Sequence, residues 1–190
     1  IDFDNDGKID LVAFDKSGKR LLLFNNNNLK FQPLNTNLIL ERWVLFRDFN
    51  CDGLEDIFTG TSGGIRVYKN TGNMSFILEK SILLSKYNNF TSSLYVSNLD
   101  IPGIVDIDGD GDLDVLSFEI NGTTVEYHEN LSIDIHQNCN ELQFKLNTKC
   151  WGDFTENAST NSINLNQSCG SSNDKKHSTN QKHMGSTITT

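Results

Sequence analysis

The feature that most constrains this chain is a nine-residue pattern, D-x-[DN]-x-D-G-x-x-D, which occurs three times. The copies are DFDNDGKID from Asp2, DFNCDGLED from Asp48 and DIDGDGDLD from Asp106, so they start 46 and then 58 residues apart. One cluster of Asp, Asn and Gly is typical of an ordinary surface turn. Three copies in the same register indicate a structural repeat instead.

The pattern places oxygen atoms at alternate positions of a short loop, as a hard cation requires. Calcium takes roughly six to eight oxygen ligands, and short Asp or Asn side chains at alternate positions can converge on one ion. Glycine at the sixth position allows a positive φ without a clash, so that the ninth position also faces the ion. The sequence therefore predicts up to three Ca²⁺ sites.

The candidate ligands are the side chains at positions one, three, five and nine and the carbonyl oxygen at position seven. They are Asp2, Asp4, Asp6, Lys8 and Asp10 in the first loop, Asp48, Asn50, Asp52, Leu54 and Asp56 in the second, and Asp106, Asp108, Asp110, Asp112 and Asp114 in the third; Lys8, Leu54 and Asp112 would contribute carbonyl oxygens. Because Asn50 carries no charge, the second site is expected to bind more weakly.

An EF-hand is the first alternative, since its loop opens in the same way. It needs a bidentate Glu at position twelve and flanking helices. Position twelve is Ala13, Thr59 or Ser117 here, and none of these can be that ligand. The runs after the loops, LVAF, IFT and VLSF, are short and apolar. They predict strands, and we expect almost no helix.

These loops, followed by DLV, DIF or DVL, resemble the FG-GAP and VCBS repeats of integrin-type β-propellers. The run DIPGIVDIDGDGDLDVLSFE from Asp100 and the CWG at Cys150 are similar to secreted repeat proteins of Bacteroidetes-like bacteria. The resemblance covers roughly residues 1–131. It implies calcium sites and a propeller, and no particular activity.

The spacing of the loops also favours propeller blades, which repeat at such intervals with four strands each. In the second repeat the predicted strands are ERWVLFRD, DIFTG, GIRVYKN and MSFILEKSILL. In the third they are LYVSNL with GIVD, then DVLSFEI and TTVEYHEN, paired across the hairpin signal Asn121-Gly122. The predicted fold class is all-β, an incomplete propeller of four-stranded blades with calcium loops and an irregular C-terminal insertion.

The predicted organisation is one propeller domain in four segments. Residues 1–47 form a partial blade, 48–105 a second blade, 106–131 the core of a third, and 132–190 a cysteine-containing insertion with the start of another blade. Since Ile1 directly precedes the first candidate ligand, we expect the chain to be a fragment of a parent with more blades. The final KHMGSTITT resembles the strand that would lead into a fourth loop. A mobile stretch is expected near residues 170–181.

The composition agrees with an extracellular, ion-binding β protein. The net charge is −9, and eleven of the 25 acidic residues are proposed to bind calcium through their side chains. Because Lys and Arg are not clustered, the chain is a poor candidate for binding nucleic acid or an anionic membrane. The sequence contains no long apolar span, so membrane insertion is not expected. The expected localisation is secreted or cell surface, where millimolar calcium would fill the loops. The partner is an unidentified protein or glycan.

Four cysteines are present, at positions 51, 139, 150 and 169. No C-x-x-C spacing occurs, so a zinc site or a redox pair is not expected. In an oxidising compartment we expect one disulfide among Cys139, Cys150 and Cys169, with Cys150 as one partner. The alternative is that all four are reduced in an unexported chain.

Two features of the sequence could indicate an enzyme instead of a binding scaffold. Residues 60–64 match the G-x-S-x-G pattern of serine hydrolases, which needs a helix after the turn, whereas the following IRVYKN predicts a strand. The four histidines form no recognised constellation. The favoured function is a non-enzymatic calcium-binding scaffold for adhesion or ligand binding. The alternatives are a calcium-dependent polysaccharide lyase or related enzyme, and a lectin that would use Trp43 or Trp151.

Overall fold

Short strands joined by tight turns make up most of the regular structure in this chain. The structure is a computed structural model that describes residues 1–4, 6–27, 30–35, 38, 40–73, 75–157, 159–160, 162–167 and 188. Two units are distinguished, Ile1–Leu83 and Leu84–Thr190. Each unit is described by itself.

The unit Ile1–Leu83 contains two antiparallel sheets. Its strands are β1 (Leu11–Asp15), β2 (Arg20–Asn27), β3 (Lys30–Asn35), β4 (Val44–Arg47), β5 (Asp56–Gly60), β6 (Ile65–Asn70) and β7 (Phe76–Lys80). The sheets have the orders β1-β2-β3 and β4-β5-β6-β7, so each is a simple meander. The first and second acidic loops lie directly before β1 and β5.

Residues of both sheets share one apolar core in this unit. It contains the fully buried Leu21 and Leu23 of β2, Ile57 of β5 and Tyr68 of β6. Leu21 and Leu23 lie on the same face because side chains alternate along a strand. Phe3, at the second position of the first loop, is also buried and packs edge-on against Phe46 and Phe76. The acidic loop is thus anchored in the core by its own apolar second residue.

The unit Leu84–Thr190 is built on a sheet of six strands. Its elements are β8 (Leu84–Tyr87), β9 (Phe90–Ser93), β10 (Gly103–Val105), β11 (Asp114–Phe118), β12 (Val125–Asn130), α1 (Ser132–His136), β13 (Phe144–Thr148), a 3-10 helix (Trp151–Asp153), β14 (Phe154–Glu156) and β15 (Ile163–Leu165). The sheet order is β10-β11-β12-β13-β8-β9, and β14 pairs with β15 separately. The third acidic loop lies between β10 and β11.

The strands β10 to β13 repeat the arrangement of β4 to β7. Both sets are antiparallel meanders, and both carry a register shift between their third and fourth strands, at Val67/Tyr68 and at Tyr127/His128. A bulge of this kind strengthens the local twist. The second and third repeats therefore share their strand order and this irregularity.

The all-β class is confirmed, and the second repeat has the four predicted strands. β5 coincides with the predicted DIFTG, and the other three are shorter than predicted. The predicted strand over LYVSNL is wrong, because residues 94–99 form no strand and β10 alone precedes the third loop. LQFKLN, which was predicted to lie in the insertion, contributes β13, which pairs with β12 as the fourth strand of the meander. None of the sheets among the described residues closes on itself.

Helix is confined to one turn of α1 and one 3-10 turn in the part of the chain that the structure describes. No helix found there has both the length and the apolar character that crossing a bilayer requires. Three predictions concern residues outside those that the structure describes. They involve Cys169, the stretch expected to be mobile at 170–181 and the strand expected over KHMGSTITT, of which only Ile188 is described.

Candidate metal-binding loops

The three acidic loops share a backbone course that depends on residues with positive φ. Gly7 and Gly53 have φ 84° and Gly111 has φ 105°, all at the sixth position. In the second and third loops the fourth position is left-handed as well, with φ 58° at Cys51 and 83° at Gly109. The left-handed fourth position was missed in the sequence analysis, although glycine in the third copy was a signal for it.

The first Asp of each loop binds the backbone of the loop's far side. One carboxylate oxygen accepts the N–H of the sixth-position glycine, at 2.8 Å for Asp2 and Asp48 and 3.1 Å for Asp106. The other oxygen accepts an N–H from the fourth or fifth position. These bonds hold the loop closed around its first side chain.

The Asp at the fifth position of each loop accepts the N–H of the seventh-position residue, whose own carbonyl is the candidate ligand. Asp6 accepts the N–H of Lys8 at 2.9 Å, Asp52 that of Leu54 at 2.9 Å, and Asp110 that of Asp112 at 3.0 Å. The same local turn therefore recurs in all three loops, and it is the turn that Asp favours by bonding to the backbone two residues on.

The Asp at the ninth position of each loop is a candidate ligand and also holds the loop to the sheet that follows. One of its oxygens accepts the N–H of the loop's second residue, at 3.0 Å from Phe3 to Asp10, 3.0 Å from Phe49 to Asp56 and 2.9 Å from Ile107 to Asp114. The other oxygen accepts the N–H of an Asn near the end of the second strand after the loop, at 2.8, 2.7 and 2.8 Å. These asparagines are Asn26, Asn70 and Asn130.

The side chains of two of these asparagines extend the same connection. The amide nitrogens of Asn26 and Asn70 each donate at 3.1 Å to the carbonyl of the residue before the ninth Asp, which is Ile9 or Glu55. Asn130 instead donates to the Glu141 carbonyl. The asparagines were missed in the sequence analysis, although their matching positions at the ends of GIRVYKN and TTVEYHEN were a visible signal.

Carboxylates converge in the first and third loops. Oxygen atoms of Asp2, Asp4 and Asp10 lie within 4.8 Å of one another, and so do those of Asp106, Asp108 and Asp110. In the second loop Asn50 donates to Asp52 at 2.8 Å, while its own side-chain oxygen is buried without a hydrogen-bond partner. A buried oxygen without a donor is costly unless a cation or water satisfies it. The donor sets of all three loops therefore fit a hard, oxygen-preferring cation.

The loops differ in how far nearby cations balance their charge. Lys8 pairs with Asp6 at 2.6 Å and lowers the pKa of that carboxyl, and Lys69 lies 3.7 Å from Asp52. Within the described residues no ion pair reaches the third loop. There the Tyr127 hydroxyl lies 3.4 Å from Asp108 and 3.3 Å from Asp114, and the Asp112 side chain accepts the N–H of Ile133 in α1. The third loop thus has the least compensated negative charge.

Burial and mutual repulsion raise the pKa values of several loop carboxyls. Burial raises the pKa of Asp56 to about 7 and that of Asp114 to about 6, with the neighbouring loop carboxylates adding to both shifts. Burial also raises the pKa values of Asp110 and Asp112. Both the burial and the neighbouring carboxylates disfavour the charged form of these groups.

Comparison with known proteins gives one match. Residues 48–117 match the family model described as an FG-GAP-like repeat. The matched segment begins at the second loop and runs through the third into β11. It therefore contains two of the three loops and the strands β5, β6 and β7. No curated protein and no solved structure matches the chain.

All three described cysteines, Cys51, Cys139 and Cys150, are disulfide-bonded. The prediction of one disulfide with Cys150 as a partner did not include Cys51, which lies at the left-handed fourth position of the second loop.

The G-x-S-x-G segment forms a strand–turn–strand hairpin. β5 ends at Gly60, Thr61 donates to the Gly64 carbonyl at 2.8 Å, and β6 follows.

Proposed function

We propose that the three acidic loops bind Ca²⁺ and that the chain is part of a calcium-stabilised β-propeller of a secreted or cell-surface protein, where it acts as a scaffold for adhesion or ligand binding. The observation that carries the proposal is the repeated geometry of the loops. In each one the same backbone amides orient the first, fifth and ninth side chains, and two of the three bring three carboxylates within 4.8 Å.

The propeller is supported by the repeat of one unit of structure. An acidic loop precedes an antiparallel hairpin three times, and the second and third repeats extend it to a four-stranded meander. The FG-GAP-like match over residues 48–117 supports the same assignment. A repeat of this kind buries its apolar faces against neighbouring repeats.

An extracellular location is supported by the disulfides at Cys51, Cys139 and Cys150. Disulfides persist in oxidising compartments and are rare in the cytosol. Extracellular calcium is also high enough to fill loops of modest affinity, since extracellular modules bind it at roughly 10⁻⁴–10⁻³ M.

A binding role is proposed in preference to catalysis. The one nucleophile-like arrangement among the described residues is Ser85, His128 and Glu126, with Ser85 Oγ 2.8 Å from His128 Nδ1 and His128 Nε2 3.4 Å from Glu126. Ser85 and His128 are both fully buried. A nucleophile without access to substrate cannot attack it, so these groups are interpreted as packing.

The test is calorimetric titration of chelator-stripped protein with Ca²⁺. Two to three ions are expected to bind, and Mg²⁺ at equal concentration is expected to bind more weakly because it demands a rigid octahedral shell. At about 10 to 100 times the dissociation constant, each ion would stabilise the fold by about 1.4 to 2.7 kcal/mol. A chain that binds no calcium and shows no rise in melting temperature would contradict the proposal.

The matched variants remove two charges each. Asp108→Asn with Asp110→Asn is expected to lower the calcium stoichiometry by one, because the third loop loses two anionic ligands. Asp153→Asn with Glu79→Gln removes the same charge outside the loops and is expected to leave the stoichiometry unchanged. Equal losses in both pairs would show that bulk charge, and not the loop, attracts the ion.

A further inference from the structure

An open cleft of about 360 Å³ lies beside the six-stranded sheet of the unit Leu84–Thr190. One wall is the β8–β9 hairpin with Tyr87 and Phe90, and another is the segment after β11 with Glu119 and Ile120. Glu126 of β12 and Lys149 after β13 provide charged groups. Its volume lies at the lower end of the range for ligand pockets, ~300–1,000 Å³. None of these residues belongs to the acidic loops.

Two stacked aromatic rings form the apolar part of the cleft. Tyr87 and Phe90 are opposite each other in the β8–β9 register, with ring centroids 5.3 Å apart and planes 5° apart. Phe90 remains 62 % exposed. Because the rings stack on each other, each covers one face of the other, and the exposed Phe90 ring offers its outer face. The negative quadrupolar charge of that face attracts the weakly positive C–H groups of a ligand.

The polar part of the cleft holds an acceptor and a donor side by side. The Glu126 carboxylate lies 3.7 Å from the Lys149 ammonium, 3.5 Å from the Tyr87 hydroxyl and 3.4 Å from His128 Nε2. The Lys149 side chain is 68 % exposed, and its nitrogen lies 5.8 Å from the centre of the Tyr87 ring. Burial raises the pKa of Tyr87 to about 12, so its hydroxyl is a donor at neutral pH.

The paired charges restrict what the cleft can hold. A cationic ligand would be repelled by Lys149, and an anionic one would face Glu126 and Glu119. A purely apolar ligand would displace water from Lys149 and Glu126 without replacing its hydrogen bonds, which is costly. A neutral polyol can donate to Glu126, accept from Lys149 and place a C–H face on the rings. We infer that the cleft binds a neutral saccharide unit, stacked on the exposed ring of Phe90, which packs on Tyr87, and hydrogen-bonded to Glu126 and Lys149.

This inference rests on the proposed function and deepens it, since it gives the scaffold a glycan as its ligand. It differs from a lectin site at Trp43 or Trp151. Trp43 is 7 % exposed, too buried to stack on a sugar, and Trp151 lies in a separate, mostly apolar pocket beside Phe118 and Phe154.

The test is saturation-transfer NMR on the full chain with a panel of methyl glycosides of glucose, galactose, mannose and N-acetylglucosamine, together with cellobiose, maltose and lactose. Glucosamine and glucuronate serve as cationic and anionic comparators. At least one neutral sugar is expected to bind in the millimolar range, which suits a small ligand on an open site. Failure of every neutral sugar to saturate up to ~50 mM would overturn the inference.

Variants locate the binding. Phe90→Ala is expected to weaken binding of the best neutral sugar roughly tenfold, because it removes the exposed ring on which the sugar stacks. Leu99→Ala is the matched control, since Leu99 is also 62 % exposed but lies outside the cleft. Lys149→Met keeps the apolar stem, and it is expected to weaken neutral sugars and to strengthen glucosamine. Equal losses in Phe90→Ala and Leu99→Ala, or tighter binding of glucosamine than of neutral sugars to the parent chain, would overturn the inference.

Calcium titration of the same sample separates the two proposals. Calcium binding without sugar binding would overturn only the saccharide site. Sugar binding that is sensitive to Phe90→Ala in a chain without calcium binding would overturn only the calcium loops.

Discussion

Single residues at the ends of strands connect the acidic loops to their sheets. Each ninth-position Asp accepts one N–H from within its loop and another from Asn26, Asn70 or Asn130. A carboxylate that accepts two N–H groups is held in one orientation before any ion arrives. This preorganisation lowers the entropic cost of ordering the loop when the ion binds.

Replacement of Asn70 tests the side-chain part of this connection. Asn70 is fully buried, donates to the Glu55 carbonyl at 3.1 Å and accepts the Gly72 N–H at 2.9 Å. Asn70→Ala is expected to lower the free energy of unfolding by ~1–3 kcal/mol, because both buried groups lose a partner. Urea unfolding of the full chain measures it, with the exposed Asn98→Ala as control. An effect of Asn70→Ala no larger than that of the control would contradict the role.

The raised pKa values predict how the ion-free chain responds to pH. The pKa of Asp56 is raised from 3.8 to about 7, so the folded chain binds more protons than the unfolded chain between about pH 4 and 7. Stability from this group is fully present below pH 3.8 and is lost as pH rises through 7. Thermal melts in chelator are expected to show a falling melting temperature from pH 5 to 8.

Calcium should remove that dependence, because a bound ion replaces the proton. Asp56→Asn, which cannot ionise, is expected to reduce the slope measured in chelator. If the parent chain melts at the same temperature at pH 5 and pH 8 in chelator, the burial of Asp56 does not raise its pKa in solution.

At the scale of strands and turns, close packing explains a glycine that resembled part of a catalytic pattern. A Cβ on Gly60 would lie 2.6 Å from Nε1 of the buried Trp43, whereas one on Gly63 would meet only Ile82 at 3.5 Å. Gly60→Ala is therefore expected to destabilise the chain by ~1–3 kcal/mol, and Gly63→Ala by less than ~0.5 kcal/mol. Comparable unfolding midpoints for the two variants would show that the Gly60 contact is not required.

Most strands could be predicted because their signals are local. Alternating apolar residues and the Asn121-Gly122 turn specify β11 and β12 within a few residues of sequence. The β8–β9 hairpin was missed because its strands, LSKY and FTSS, contain few apolar residues, and its attachment to the sheet is non-local. β8 lies parallel to β13, nearly sixty residues later, with Ser85 opposite Phe144. The candidate ligands could be named from the sequence because each loop is one continuous nine-residue segment, whereas the asparagines that hold the loops lie further along the chain.

The saccharide cleft could not have been predicted from the sequence. Its rings come from β8 and β9, its carboxylate from β12 and its ammonium from the turn after β13. These segments meet only because the hairpin joins the sheet at β13. No spacing in the sequence encodes that meeting, so the site depends on the sheet order rather than on a motif.

For the whole molecule, calcium changes the charge and the stability together. The formal charge is −9, and three ions would reduce it to −3, which weakens self-repulsion throughout the chain. Two loops belong to the unit Ile1–Leu83 and one to the unit Leu84–Thr190. Because the ninth-position Asp of each loop is hydrogen-bonded to an Asn in the following sheet, each ion should stabilise its own surroundings first.

Hydrogen exchange of the full chain tests that independence. At about 10 to 100 times the dissociation constant, calcium is expected to slow exchange of amides in residues 48–56 and 106–114 by roughly ten- to a hundredfold, because local opening must release the ion. Asp108→Asn with Asp110→Asn should abolish the slowing in 106–114 and preserve it in 48–56, while Asp153→Asn with Glu79→Gln should preserve both. If the first variant loses protection in both loops, the sites are filled cooperatively. The stability of each loop would then depend on the assembled molecule and not only on the carboxylate at its own ninth position.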